Sequence, residues 1–158
     1  MASGRISRVG IVGAGQMGAG IAEVCARAGA QVLLCEPTRE RAAAGRARIL
    51  QSLDRGVSSG KLTAREREQA AARLSFTGRL SDFADRELVV EAVVEDQSVK
   101  CAIFAELDAV LADPEAVLAS NTSSIPIMAL AGATQRASRV IGLHFFNPVP
   151  VLPLVELV

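Results

Sequence analysis

Arg8-Val9-Gly10-Ile11-Val12-Gly13-Ala14-Gly15-Gln16-Met17-Gly18 reads as a strand that runs straight into a glycine-rich turn. The first five residues are a short apolar run with β-branched side chains, the pattern of a buried strand. The rest have the spacing G-x-G-x-x-G. In that spacing Gly13 permits a tight strand-to-helix turn, Gly15 lets a pyrophosphate approach the backbone, and Gly18 lets the helix pack closely on the strand. The phosphates then rest at a helix N-terminus, where unpaired N–H groups and the positive end of the macrodipole attract an anion.

Outward from this turn, Ala19 to Ala28 place small and apolar residues at helical spacing, and Gly29 stands at a C-cap position. Gln31-Val32-Leu33-Leu34-Cys35 supplies a second strand, which ends in Glu36. An acid at that tip, about 20 residues beyond the glycines, is placed to accept hydrogen bonds from an adenosine ribose and to repel a 2′-phosphate. NAD is therefore expected over NADP. Arg39 lies close behind and is the residue able to soften that preference; its alternative role is an exposed first-turn helix position.

Arg39 to Arg55 forms an arginine-rich helix with Ala43, Ile49, Leu50 and Leu53 as its inward stripe, followed by a loop from Gly56 to Gly60. A second helix is expected from Thr63 to Arg73, opened by a capping box in which Thr63 and Glu66 satisfy free N–H groups. This inserted helical pair exceeds a minimal βαβ unit, and such insertions often line a substrate cleft. From Arg86 the α/β alternation resumes. Leu88 to Val93 reads as a strand, Ser98 to Leu111 as a helix, and Ala116 to Ser120 and Val140 to Leu143 as further strands. The fold class is thus α/β, a Rossmann-type doubly wound and mostly parallel sheet, with residues 1–158 as one dinucleotide-binding domain. Ligands of such sheets gather beyond the carboxyl ends of the strands, where Glu95, the segment from Asn121 to Ser124 and His144 all fall.

His144 is the single histidine of the chain. Imidazole accepts and returns a proton near neutral pH, so its place between a hydroxyl cluster and Glu156 suits a general base. A satisfied structural histidine is the alternative. Pro126 opens a short helix, so the hydroxyls of Ser120, Thr122, Ser123 and Ser124 lie near its N-terminus, where capping accounts for one of them and not for the set.

Composition narrows the function. With 50% hydrophobic residues in 158, the chain can bury a sizeable core, and its 17 basic and 17 acidic residues cancel. That balance argues against the basic footprint of nucleic-acid binding. No apolar run reaches the length of a membrane span, and Met1 to Arg8 lacks the apolar region of a secretory signal, so a cytoplasmic location is expected. Cys25, Cys35 and Cys101 are widely separated in apolar patterns, which suits buried reduced thiols; no metal site is expected.

Four motifs in order carry a resemblance: Gly13 to Ala22, Val90-Glu91-Ala92-Val93-Val94-Glu95, Ser120-Asn121-Thr122-Ser123-Ser124, and His144-Phe145-Phe146-Asn147-Pro148-Val149-Pro150. Together they resemble the NAD-binding domain of the short-chain L-3-hydroxyacyl-CoA dehydrogenases, along nearly the whole chain. The resemblance implies NAD-dependent oxidation of an L-3-hydroxyacyl-CoA, with 3-hydroxybutyryl-CoA as the expected substrate, to the 3-ketoacyl-CoA, or the reverse. It implies His144 as catalytic base, Glu156 as its orienting acid and Ser123 as a contact to the substrate oxygen. Gly13, Gly15, Gln16, Met17, Gly18, Glu36, Glu95, Lys100 and Ser123 are the implied cofactor contacts. Asn147, Ser52 and Lys61 are the implied substrate contacts, the last two toward CoA.

Members of that family continue into an all-helical C-terminal domain that closes the acyl cleft, adds an active-site asparagine and forms most of a dimer interface. The expectation is that this chain is the N-terminal half only, with an apolar end from Val151 to Val158 that favours self-association and a homo-oligomer. It would bind NAD and catalyse poorly alone. A non-catalytic NAD-binding or assembly module is the alternative, against which the joint presence of Ser123, His144 and Glu156 speaks.

Overall fold

The computed structural model describes residues 4–158. The first three residues of the segment read above as lacking a secretory signal lie outside the described residues. In chain order the elements are β1 (Arg8–Val12), α1 (Gln16–Arg27), β2 (Gln31–Cys35), α2 (Arg39–Ser58), α3 (Ala64–Ala72), β3 (Leu74–Thr77), β4 (Leu88–Glu91), α4 (Gln97–Val110), β5 (Val117–Ser120), α5 (Ile127–Ala131), β6 (Val140–Phe145) and β7 (Val155–Leu157). The sheet has the order β3-β2-β1-β4-β5-β6-β7. Its first six strands run parallel, and β7 closes one edge antiparallel to β6. The order reverses between β1 and β4, which opens a crevice at their carboxyl ends.

Both faces of the sheet are covered, as the continuous apolar strands require. Val9, Ile11, Ile21, Leu34, Ile49 and Leu53 pack with α1 and α2 on one side. Val12, Phe83, Val89, Phe104, Leu107 and Leu118 pack with α4 on the other. Successive β1 residues thus serve opposite cores, the period-2 consequence of a pleated strand.

Several boundaries differ from the sequence reading. Helix α2 runs on through Gly56 to Ser58, since Leu62 packs over Gly56 and the true stop is Gly60 at φ +75°. Gly29, at φ +102°, sits one residue past the cap of α1, which is Ala28. Strand β3 joins the sheet beside β2, although Leu74-Ser75-Phe76-Thr77 follows α3 almost without a break. Strand β6 continues to Phe145, so His144 lies within it and not after it. The extension exists because β7 returns to pair with it, placing Glu156 opposite His144. Cys35 is buried, while Cys25 and Cys101 are only half-buried.

Candidate active site

The glycine turn adopts the geometry its spacing requires. Gly13 sits at φ +93°, and its N–H donates to the Cys35 carbonyl at 3.0 Å. A Cβ on Gly18 would stand 1.8 Å from the Gly13 carbonyl oxygen, so no other residue fits there. Gly15, the N-cap of α1, has no side-chain cap, and a Cβ there would meet open space. The first N–H groups of α1 therefore face an unobstructed approach, as a pyrophosphate needs. Arg48 braces this turn from α2, donating to the Ala14 carbonyl at 2.9 Å.

Glu36 closes the same turn: one oxygen of its buried carboxylate accepts the Ala14 N–H. The other lies 4.0 Å from Arg41 Nε. Arg41, the third residue of α2, is thus the cation beside the acid, and Arg39, which the sequence singled out, is an exposed first residue of α2. Gly13, Gly15, Glu36 and Arg41 line one cavity of about 770 Å³ together with Val94 and Ile103. An acid at the tip of β2, an open helix N-terminus and apolar walls fit an adenosine diphosphate moiety with free ribose hydroxyls.

Ala92 and Val93 lead from this cavity into a smaller one of about 350 Å³, lined by Met17, Glu95, Lys100, Asn121, Ser123, His144 and Asn147 among others. Here the β6–β7 pairing acts. His144 Nδ1 lies 3.0 Å from Glu156 Oε2, with the imidazole side chain 24% exposed. Phe146 meets the imidazole edge-on at a centroid distance of 4.7 Å. Asn121 Oδ1 accepts the Phe145 N–H at 2.9 Å, tying the hydroxyl loop to the strand that carries His144.

The hydroxyl cluster divides its work. Ser120 donates to Glu91 Oε2 at 2.7 Å and accepts the Thr122 N–H at 3.2 Å. Thr122 donates to Glu95 and accepts the Ile125 N–H, while Ser124 donates to Glu95 Oε1 at 3.0 Å. Ser123, exposed, is the member of the cluster that lines the His144 cavity. Lys100 is 1% exposed and its ammonium donates to Glu91 Oε1 at 2.6 Å, with Glu95 Oε2 at 3.3 Å. Although partial burial disfavours its charge, Glu95 is held below the ordinary carboxylate range by Thr122, Ser124 and Lys100. The Glu91–Lys100–Glu95 array was not read from the sequence as a unit. A lone acid inside the apolar strand Leu88 to Val93 was the available signal, because such an acid needs a buried partner.

A third cavity of about 640 Å³ meets the second at Asn147. Ser52 and Lys61, separated by the α2 terminus, both line it, as does Gln16, whose amide donates to Asn147 Oδ1 at 3.1 Å. Of the implied contacts, Gly18 lines none of the three cavities; its role is the close packing already described.

A doubly wound sheet with an open glycine turn, a strand-tip carboxylate and a histidine toward the carboxyl end of β6 defines a dinucleotide-binding oxidoreductase domain. Comparison with known proteins narrows the class. The family model described as "3-hydroxyacyl-CoA dehydrogenase, NAD binding domain" matches residues 8–158. The chain belongs to this family, and its cofactor is NAD. It is 65% identical over 156 residues to a 3-hydroxybutyryl-CoA dehydrogenase of Mycobacterium tuberculosis, covering 99% of this chain and 54% of that protein. A 3-hydroxybutyryl-CoA dehydrogenase of Bradyrhizobium diazoefficiens is 49% identical, with 97% and 52% covered. The crystal structure of M. tuberculosis FadB2 superposes with a TM-score of 0.94 at 66% identity, over 96% of this chain and 53% of that one. The chain thus spans about half the length of these relatives. Among the described residues, no helix is long and apolar enough to cross a membrane.

Proposed function

We propose that this chain is the cofactor-holding half of an enzyme that interconverts an L-3-hydroxyacyl-CoA, 3-hydroxybutyryl-CoA in particular, and its 3-ketoacyl-CoA. The observation that carries this reading is the His144 Nδ1 to Glu156 Oε2 distance of 3.0 Å, with His144 lining a cavity that Ser123 shares. Glu156 accepts only, so it fixes the Nδ1–H tautomer and leaves the Nε2 lone pair to take a proton. Ser123 offers a hydroxyl to the same substrate oxygen. Withdrawal of that proton makes an imidazolium, which Glu156 stabilises across the strand pair. NAD, when bound, supplies the acceptor for the hydride leaving C3. Gly13, Gly15, Gln16, Met17 and Gly18 form its turn, Glu36 accepts from its ribose, and Glu95, Lys100 and Ser123 flank its nicotinamide end.

The third cavity suits the CoA portion, with Ser52, Lys61 and Asn147 as contacts. Its meeting with the His144 cavity at Asn147 supports this assignment, since a thioester must reach the base while its nucleotide stays outside. Residues 1–158 form one domain in this reading. Exposed Val151, Leu152, Leu154, Leu157 and Val158 favour association, with a homo-oligomer as the working state of the enzyme. The test is NADH oxidation on addition of acetoacetyl-CoA, read with a ¹⁵N spectrum of the single imidazole. Slow turnover and an Nδ1–H tautomer are expected; an Nε2–H tautomer unchanged by Glu156→Ala would refute the pairing.

A further inference from the structure

The third cavity contains a carboxylate that the scheme above leaves without a task. Glu23 projects from α1 into a wall whose other charged members are Arg27, Arg48, Arg55 and Lys61. Its side chain is 2% exposed. Arg27 Nη1 stands 3.6 Å from its Oε1, too far for a good hydrogen bond. Among the described residues, Glu23 Oε2 is the one buried side-chain nitrogen or oxygen with no hydrogen-bond partner. Burial pushes the carboxyl's pKa up, opposed by the Ser52 hydroxyl and by the Arg27 and Arg55 charges. The chain from Asn147 to Val151, which forms the facing wall, carries no ionisable side chain.

A buried carboxylate with one bare oxygen is costly to keep ionised, and beside the Ser52 hydroxyl it is the neighbouring guanidiniums that offset that cost. Anything that draws those guanidiniums away tips the acid toward its neutral form. A diphosphate does so, because arginine prefers the doubly charged ligand and can bind it in bidentate fashion. We propose that Glu23 is a positioning residue for the anionic ligand of this cleft: ionised, it holds Arg27 at the α1–α2 wall beside Arg55, and when the ligand's diphosphate arrives it takes up a proton and releases Arg27 to join Arg55 at the phosphates. The inference rests on the reading of this cleft as the CoA site. Binding and protonation then favour each other by the same factor.

Calorimetry of dephospho-CoA binding to the 158-residue chain, in two mildly acidic buffers of different ionisation enthalpy, measures the proton count. Dephospho-CoA lacks the phosphate monoester, whose own ionisation near pH 6 would otherwise exchange protons. Wild-type protein should take up a fraction of a proton, with affinity falling by up to about tenfold per pH unit while Glu23 titrates. Glu23→Gln should take up none and bind with pH-independent affinity. Pantetheine, without the diphosphate, should bind wild type with no uptake, an arm that decides the matter even if the variant fails to fold. Zero uptake by wild type, equal uptake by wild type and Glu23→Gln, or uptake with pantetheine would overturn the inference alone. Failure of dephospho-CoA and pantetheine to bind either protein would overturn the CoA reading and the inference together.

Discussion

Replacing Lys100 by Met tests the charged array beneath the His144 cavity. The methionine keeps much of the lysine's length and apolar stem but removes the ammonium that lies 2.6 Å from Glu91 Oε1. Glu91 is 0% exposed, and in the variant only the Ser120 hydroxyl and the Val93 N–H remain to support its carboxylate. Removing one partner of a buried pair costs about 3–5 kcal/mol, since the other charge stays buried and unpaired. For a domain of this size about 1 kcal/mol moves Tm by about 2–4 °C, which gives a fall of roughly 6–20 °C. Added salt should change the loss little, because a buried pair is weakly screened. The double change Glu91→Gln with Lys100→Met should recover at least half of it, as the amide oxygen still accepts from Val93 and no buried charge is left stranded, Glu95 being exposed and held by Thr122 and Ser124. Thermal unfolding followed by circular dichroism is the assay. A single-variant fall under about 2 °C would refute the buried-pair account, being the size expected for a surface substitution.

Three more expectations follow from the same geometry. Gly18→Val would place side-chain atoms against the Gly13 carbonyl, 1.8 Å from where even a Cβ would sit, so the turn must open; NADH affinity should fall by at least about tenfold, equivalent to about 1.4 kcal/mol, in a fluorescence titration. Burial raises and the Gln135 N–H and Arg136 lower the pKa of Asp108, which ends below its ordinary value. A depressed carboxylate contributes stability above its unfolded pKa, near 3.9, and loses it as pH falls through the folded value, so Asp108→Asn should flatten the acid limb of the stability curve below about pH 4. Unfolding scans against pH would show this, and an unchanged acid limb would count against the Arg136 tie. Light scattering of the chain as a function of concentration should show association through the exposed Leu154 to Val158 segment, and a monomer at every concentration would contradict it.

What the sequence made legible follows from which signals are local. The run Gln31 to Cys35 is bounded by Ala30 and an acid, and β2 has those limits. The three glycines of the turn each have a separate steric reason, and each reason is visible in the backbone. Signals that depend on partners far along the chain were lost. Strand β3 is four residues at the end of a helix, too short for a period-2 pattern to declare itself. The extension of β6 through His144 depends on β7, ten residues beyond Phe145 in sequence, whose pairing with β6 no local pattern declares. Glu91 and Lys100 looked like a strand residue and a helix residue until the fold set them together. Glu23 was hidden in the small-apolar pattern of α1, where one acid among alanines resembles a solvent-facing residue.

In this site His144 handles a proton while the glycine turn and Glu36 hold the cofactor independently of it. His144→Gln measures both parts at once, through NADH titration and acetoacetyl-CoA-dependent NADH oxidation on the same preparation. The NADH dissociation constant should stay unchanged within about twofold, a difference under about 0.5 kcal/mol, and turnover should fall about 10²- to 10⁴-fold. Parallel loss of cofactor affinity and turnover would mark His144 as structural, and unchanged turnover would remove it from the chemistry altogether.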